Sequence, residues 1–209
     1  MSDDVLVKVK RLKNDAKIFR DIGDTASAIA AVDEAIAIVE KERKSNPGDA
    51  DRLKAELADC LGMKGGILRR ANQLQEALQA YKAGLTFEVG DSYNLTNTLI
   101  LELLLKPTRM GELKTQIEEG RAEVEKQIQS HRSRQWWAWA DLGLLELLTD
   151  REDRALDAYT HFSSTGARAS DYDSTVSVLE ELAAKFAGVD AVVQARLGRA
   201  AVFLKSRKS

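Results

Sequence analysis

The chain has 209 residues, a formal net charge of −2, one cysteine and two prolines. Hydrophobic residues make up 44% of it and charged residues 31%, which is typical of a folded protein and excludes an intrinsically disordered chain. Nucleic-acid-binding proteins carry an excess of basic residues, and the near-neutral net charge of this chain argues against that class. The longest apolar run, residues 99–105, is far shorter than the roughly 20 residues of a membrane span.

The N-terminal sequence and the cysteine content predict a cytoplasmic location. Residues 1–4 are acidic, and no apolar segment of the kind found in a secretory signal follows them. Cys60 is the only cysteine, so it has no internal disulfide partner, which fits a reducing compartment. We therefore expect neither secretion nor a membrane partner.

Apolar residues recur at spacings of three and four, which predicts an all-α protein of about ten helices with no strand. Gly23 is expected to end the first helix and Thr25 to cap the second. The fifth helix is apolar almost all round, which predicts a central position. The first seven helices are predicted at about 5–19, 25–44, 53–68, 74–90, 93–105, 113–128 and 136–150. An eighth is expected to end at 162, and two more are predicted at 171–187 and 191–205.

An internal repeat carries the prediction of the fold. Trp139 is followed by Leu142 and Gly143, then by Ala155 twelve residues after the glycine and by Tyr159 four residues later. The same offsets recur, with Leu in place of Trp, at Leu61, Gly65, Ala77 and Tyr81 and again at Leu12, Ala16, Ala28 and Val32. Small residues at these positions let two helices approach closely, and the large ones fill the space around them.

This pattern resembles the tetratricopeptide repeat (TPR). The resemblance implies a right-handed superhelical array of antiparallel helix pairs, forming a single domain over 1–209. The clearest repeat units cover about 5–44, 50–88 and 136–165, and residues 166–209 form a less regular helical end.

A second, fainter resemblance concerns Tyr93 and Asn97. They are similar to positions in the TPR-like TRAF-binding region of the apoptosis signal-regulating kinases and its bacterial relatives. No kinase motif occurs in the chain, so the resemblance implies a shared scaffold and adds Asn97 to the candidate binding residues.

Catalytic and metal-binding signatures are missing from the sequence. The segment 62–66 comes nearest to a phosphate-binding loop, but its glycines fall at small-residue positions of a repeat and are predicted to serve helix packing. His131 and His161 have no Cys or carboxylate partner at metal-ligand spacing, and Cys60 has no nearby His. We therefore expect no enzyme, no cofactor and no metal.

The resemblance places partner binding in the inner groove, which one face of each first helix lines. The residues at matching positions are Lys10, Lys13, Lys17, Arg20, Arg69, Arg70 and Trp137. Asn97 joins them through the second resemblance. They predict a groove that is basic at its N-terminal end and apolar, with a tryptophan, at its C-terminal end. Such a groove suits an acidic protein or peptide. The alternative is that the lysines form a solvated face on a capping helix.

Three tryptophans within residues 136–139 are the most unusual local feature. Successive helical residues are turned by about 100°, so the three rings cannot all face one core. Trp139 has the packing position of the repeat. Trp136 and Trp137 either leave an exposed binding surface or pack against the preceding helix.

Together these observations predict a non-catalytic adaptor or scaffold that binds another protein or a peptide. One alternative is a self-assembling structural module, in which Trp136 lies in the interface of a homo-oligomer. Another is a secretion-type chaperone, which repeat arrays of this length also resemble.

Overall fold

A computed structural model describes residues 3–208. Over this range it contains ten α-helices, three short helical segments and no strand, which confirms the predicted all-α helical repeat architecture. The α-helices are α1 (Asp3–Asp21), α2 (Thr25–Ser45), α3 (Ala50–Arg70), α4 (Leu74–Phe87), α5 (Ser92–Leu105), α6 (Met110–Gln127), α7 (Trp136–Leu148), α8 (Glu152–Ser164), α9 (Ala169–Phe186) and α10 (Ala191–Arg207).

Helix ends follow the predicted turn residues, with one correction. Gly23 and Asn72 adopt the left-handed conformation, with φ of 83° and 60°. The prediction that Thr25 caps α2 is wrong, because the Asp24 carboxylate accepts a hydrogen bond from the Ser27 amide at 3.0 Å and Thr25 is the first helical residue. The hydrogen bonds from Ser27 also lower the pKa of Asp24 below its ordinary value.

Contacts divide the chain into two compact units, unit 1 (Met1–Leu101) and unit 2 (Glu102–Ser209). Within unit 1, α1 packs on α2, α2 on α3 and α3 on α4. Within unit 2, α6 packs on α7, α7 on α8 and α9 on α10, and α10 also contacts α7 and α8. The single domain over 1–209 stays a prediction.

The repeat positions form the close contacts that their residue types predict. A Cβ atom placed on Gly65 would lie 2.8 Å from the Tyr81 ring, and one on Gly143 would lie 2.6 Å from the Tyr159 ring. Both tyrosines are almost fully buried. Glycine is therefore required for helix approach in both units, as the sequence predicts.

The same small-to-large pattern organises the core of unit 1. Its buried apolar cluster includes Leu12 and Ala16 of α1 and Ala28 and Val32 of α2, which occupy the repeat offsets found in the sequence. Leu53, Leu57 and Cys60 extend this cluster into α3. The core therefore fixes which faces of α1 and α3 remain available to other molecules.

Candidate protein-binding face

One face of α3 carries the residues that connect it with α1 and α5. We call it the α3 face; its residues are Glu56, Asp59, Gly62, Gly66 and Arg69, with Arg70 at its C-terminal edge. Their spacing of three or four places them along one side of a helix. Most of the predicted groove residues of unit 1 lie on this face or next to it.

Lys13 reaches from α1 to the N-terminal half of the α3 face. Its Nζ lies 2.7 Å from Glu56 Oε1 and also forms an ion pair with Asp59, and its side chain is only 18% exposed. Burial lowers the pKa of Lys13, but hydrogen bonds and charge attraction from Asp59 and Glu56 outweigh it and raise the pKa above its ordinary value. The charge of this predicted groove lysine is therefore already matched inside the molecule.

Two other predicted lysines border a cleft of about 480 Å³ that Lys13 and Glu56 also line. Lys10 and Lys17 are exposed at its rim, and no ion pair holds either within the part of the chain that the structure describes. Arg20 lies further along α1 and pairs with the adjacent Asp21 at 2.7 Å. The cleft therefore has two unpaired cations, Lys10 and Lys17, at its rim, whereas the charges of Lys13 and Glu56 inside it neutralise each other.

Tyr93 of α5 covers the glycine-rich part of the α3 face. A Cβ atom on Gly62 would lie 3.2 Å from the Tyr93 ring, and one on Gly66 would lie 3.4 Å from its hydroxyl oxygen. The Tyr93 side chain nevertheless remains 39% exposed. The glycines thus serve helix packing, as predicted, and the packing leaves an aromatic side chain at the surface.

A polar pair joins the C-terminal half of the α3 face to α5. Arg69 Nη1 donates to Asn97 Oδ1 at 3.4 Å, and Asn97 Nδ2 donates to the Tyr93 carbonyl at 2.9 Å. Arg70 is exposed beside them. Arg69, Asn97 and Tyr93 therefore form one local arrangement, whereas Trp137 belongs to unit 2.

Asn94 is a structural residue that the sequence did not single out for packing. It is fully buried, and its Nδ2 donates to the Ala58 carbonyl at 2.9 Å and to Asp91 Oδ2 at 2.7 Å. Gly84 leaves room for this amide, because a Cβ there would collide with it. The feature of the sequence that could have indicated this role is an asparagine in the first turn of an otherwise apolar helix.

The tryptophans of unit 2 all have partners within that unit. Trp136 meets the buried Phe162 edge-on, with ring centroids 5.9 Å apart. The Arg132 guanidinium lies 4.8 Å from the Trp137 ring centroid. Trp139 stacks on His161 at 4.4 Å, and its Nε1 donates to the Ser133 carbonyl. Each ring is half-buried, so the cluster is neither a closed core nor a fully exposed surface.

Unit 2 also contains a buried ionic network that the sequence reading missed. The Glu146 carboxylate is fully buried, and nitrogens of Arg121, Arg151 and Arg154 lie 3.5, 3.6 and 3.3 Å from its oxygens. Glu118 and Glu125 pair with the same arginines. The feature of the sequence that could have indicated a buried charge is the single glutamate within the apolar run of residues 144–148.

Groups with reactive or metal-binding potential are scattered. Burial raises the pKa of the Cys60 thiol to about 12, so it stays protonated at neutral pH. His131 and His161 are exposed on different elements. In residues 3–208 no group of three or more His, Cys, Asp or Glu is arranged to hold a metal ion. None of the helices described there is long and apolar enough to cross a membrane.

Comparison with known proteins supports the repeat fold. No family model and no curated protein matches the chain. A thermophilic TPR protein from Thermus thermophilus is 13% identical, with 93% of this chain and 99% of that one covered and a TM-score of 0.51. A tetratricopeptide repeat protein from Parabacteroides merdae is 18% identical over 96% of this chain and 74% of that one, with a TM-score of 0.43. A MamA protein is 12% identical over 96% and 91%, with a TM-score of 0.42.

The chain is a TPR-like helical array. The similarity to the Thermus protein and the repeated glycine–tyrosine contacts support the same fold. Within unit 1, α1 and α3 are the first helices of the pairs α1–α2 and α3–α4 and carry the predicted basic groove residues, and α5 carries Asn97.

Proposed function

We propose that the chain is a non-catalytic scaffold that binds another protein or a peptide on the α3 face. The observation that carries the proposal is the convergence of exposed polar and aromatic groups from three helices of unit 1. Lys10 and Lys17 come from α1, Arg70 from α3 and Tyr93 from α5. Helical repeat arrays use surfaces formed by successive repeats to bind extended partners.

The charges of this face favour a partner with acidic residues. Lys13 is held by Glu56 and Asp59, so it offers little attraction to an incoming carboxylate. Lys10, Lys17 and Arg70 are the exposed cations on or beside the α3 face that have no internal partner among residues 3–208. Binding through exposed charges weakens as salt screens them. We further propose a cytoplasmic location, which the lone buried Cys60 supports.

Tyr93 adds an aromatic contact to the charged groups of the α3 face. A half-exposed tyrosine contributes apolar area and a hydroxyl group at little entropic cost, and tyrosine and arginine are enriched among residues that dominate binding energy. Tyr93 is held by contacts with the α3 glycines, so its ring is preorganised. By contrast, the ring of Trp136 packs on Phe162, and no observation at this tryptophan favours self-assembly.

Affinity capture with mass spectrometry tests the proposal, using the purified chain as bait in extracts of its source cells. The variant Arg69→Glu, Arg70→Glu, Tyr93→Ala removes the centre of the proposed surface without disturbing Lys13. The control Lys41→Glu, Lys44→Glu makes two charge reversals on exposed residues of α2.

We expect one stoichiometric protein to be captured by the original chain and the control and lost by the α3-face variant. Circular dichroism confirms that both variants are folded. Retention of that protein by the α3-face variant would contradict the proposal, and so would an empty capture by a chain that light scattering shows to be a multimer.

A further inference from the structure

The solvent-facing side of α1 has an unusual composition. Val7, Ile18 and Ile22 are 69%, 60% and 72% exposed, although all three are large aliphatic residues. The outer face of α1 comprises Val7, Lys10, Arg11, Asn14, Lys17 and Ile18 and continues into Ile22 of the turn that follows the helix. It lies opposite the buried stripe of Val9, Leu12 and Ala16.

The cations of α1 differ according to the face that they occupy. Lys8 lies at the α2 side and pairs with Glu34 at 3.0 Å, and Lys13 lies at the α3 side and pairs with Glu56 and Asp59. Lys10, Arg11 and Lys17 on the outer face have no ion-pair partner among residues 3–208. The three unmatched cations therefore surround the exposed aliphatic residues.

The spacing on this face is that of a helix-pairing surface. Val7, Arg11, Asn14 and Ile18 follow one another at intervals of four, three and four residues, as the contact positions of a heptad pattern do. Lys10 and Lys17 each precede one of these positions by one residue. Charged residues there form ion pairs between helices and determine which partner helix is accepted. The stripe from Val7 to Ile18 is about 16 Å long at 1.5 Å per residue, or three helical turns.

We propose that the outer face of α1 binds an acidic amphipathic helix of another protein. The aliphatic residues of that helix would cover Val7, Ile18 and Ile22, and its carboxylates would meet Lys10, Arg11 and Lys17. This surface shares Val7, Lys10 and Lys17 with the cleft beside the α3 face, whereas Arg11, Ile18 and Ile22 contribute to the outer face alone.

Charge disfavours the two other occupants of such a face. A second copy would bring Arg11 against its counterpart in a parallel helix pair, and would bring the lysines together in an antiparallel pair. Anionic membranes attract clusters of four to eight basic residues and are entered by Trp, Phe or Leu side chains. The outer face has three cations and only aliphatic β-branched residues in its apolar stripe.

A display library of helical peptides about 21 residues long tests the proposal with the intact chain as target. The contact positions of each peptide carry Leu, Ile or Val, and the flanking positions carry Glu or Lys in equal proportion. We expect enriched peptides to contain Glu at least threefold more often than Lys at the flanking positions. Their dissociation constants should rise at least tenfold with Ile18→Asp and with Arg11→Glu.

The matched control is Val192→Asp, Val202→Asp on the exposed side of α10, where both valines are about as exposed as Val7. It should leave peptide binding within twofold of the original chain. Peptides without a Glu bias, an absence of enrichment, or binding that survives Ile18→Asp and Arg11→Glu would overturn the proposal.

Two measurements on the chain alone examine the other occupants. A sedimentation mass that doubles and returns to the monomer with Ile18→Asp would overturn the proposal in favour of a second copy. Flotation with vesicles of three parts phosphatidylcholine to one part phosphatidylserine, lost with Ile18→Asp, would overturn it in favour of a membrane. These outcomes concern Arg11 and Ile18, so they leave the test of the α3 face unaffected.

Discussion

Helices α1 and α10 both expose aliphatic side chains, but they differ in how their charges are used. Val192 and Val202 of α10 are 66% and 69% exposed, much like Val7 of α1. Three exposed cations of α10 and its C-cap have carboxylate partners in unit 2, since Arg199 pairs with Glu152, Lys205 with Glu180 and Lys208 with Asp173, and Arg207 lies over the Phe203 ring. Those on the outer face of α1 have none among residues 3–208.

The contrast shows that exposed apolar area alone does not indicate an interface. A cation that already has a carboxylate partner must lose that contact before it binds an outside group. An unmatched cation loses only its hydration. The surface of α1 is therefore better suited than that of α10 to attract an acidic partner.

The largest expected effect concerns the buried charge of unit 2. Glu146→Ala should lower the free energy of unfolding by about 3–5 kcal/mol, because three arginines lose a buried counter-charge. Urea denaturation measures the loss. The exposed pair of Glu152 and Arg199 is the control, and Glu152→Ala should cost less than about 1 kcal/mol. Equal losses would show that burial does not distinguish the two carboxylates.

The next largest effect concerns the glycines that contact buried tyrosine rings, and both units should show it. Gly143→Val and Gly65→Val should each lower the free energy of unfolding by about 3 kcal/mol, because the new side chain collides with a buried tyrosine ring. Gly198 of α10 has open space around it, so Gly198→Ala should stabilise the chain by up to about 1 kcal/mol. Thermal denaturation compares the three variants, and equal changes in their melting temperatures would refute the packing argument.

A smaller effect should separate paired from unpaired cations on α1. Lys13→Met should cost about 1–2 kcal/mol, because Glu56 and Asp59 lose their common counter-ion. Lys10→Met should change the free energy of unfolding by less than about 0.5 kcal/mol. Urea denaturation at neutral pH compares the two variants.

The pH dependence of the Lys13 effect has a definite sign. The folded-state pKa of Lys13 lies above its ordinary value of 10.5, so its stabilisation is fully present below pH 10.5 and is lost as the pH rises through the folded-state pKa. The difference between the original chain and Lys13→Met should therefore be constant from pH 7 to 10. A decline within that range would contradict the ion-pair assignment.

The smallest effect is expected on the outer face of α1. Ile18→Ser and Ile22→Ser should change the free energy of unfolding by less than about 0.5 kcal/mol, since both side chains are already in water. Val9→Ser on the buried side of the same helix should cost several times more. A large loss with Ile18→Ser would mean that this residue serves folding rather than binding.

Much of the candidate site could be predicted, but its electrostatics could not. The repeat offsets placed Lys10, Lys13 and Lys17 on α1, and the structure finds the first and third exposed. Spacing along one helix says nothing about the residues that a neighbouring helix contributes. Glu56 therefore neutralises Lys13 across 43 positions of sequence.

The tryptophan cluster shows the same division. The turn of about 100° per residue correctly predicts that the rings of residues 136–139 point in different directions. Sequence could not say that Trp136 meets Phe162 or that Trp139 stacks on His161, because both contacts depend on how α7 and α8 pack.

Local sequence patterns are sufficient to predict about ten helices, most of their ends and the small residues that allow α3 to approach α4 and α7 to approach α8. These features are local or periodic, and helix periodicity and the size of a side chain are properties of the chain itself. Which charges are matched and which remain free depends instead on how the helices pack against one another. Pairing depends on distances between residues far apart in sequence, as between Lys13 and Glu56 or between Arg154 and Glu125.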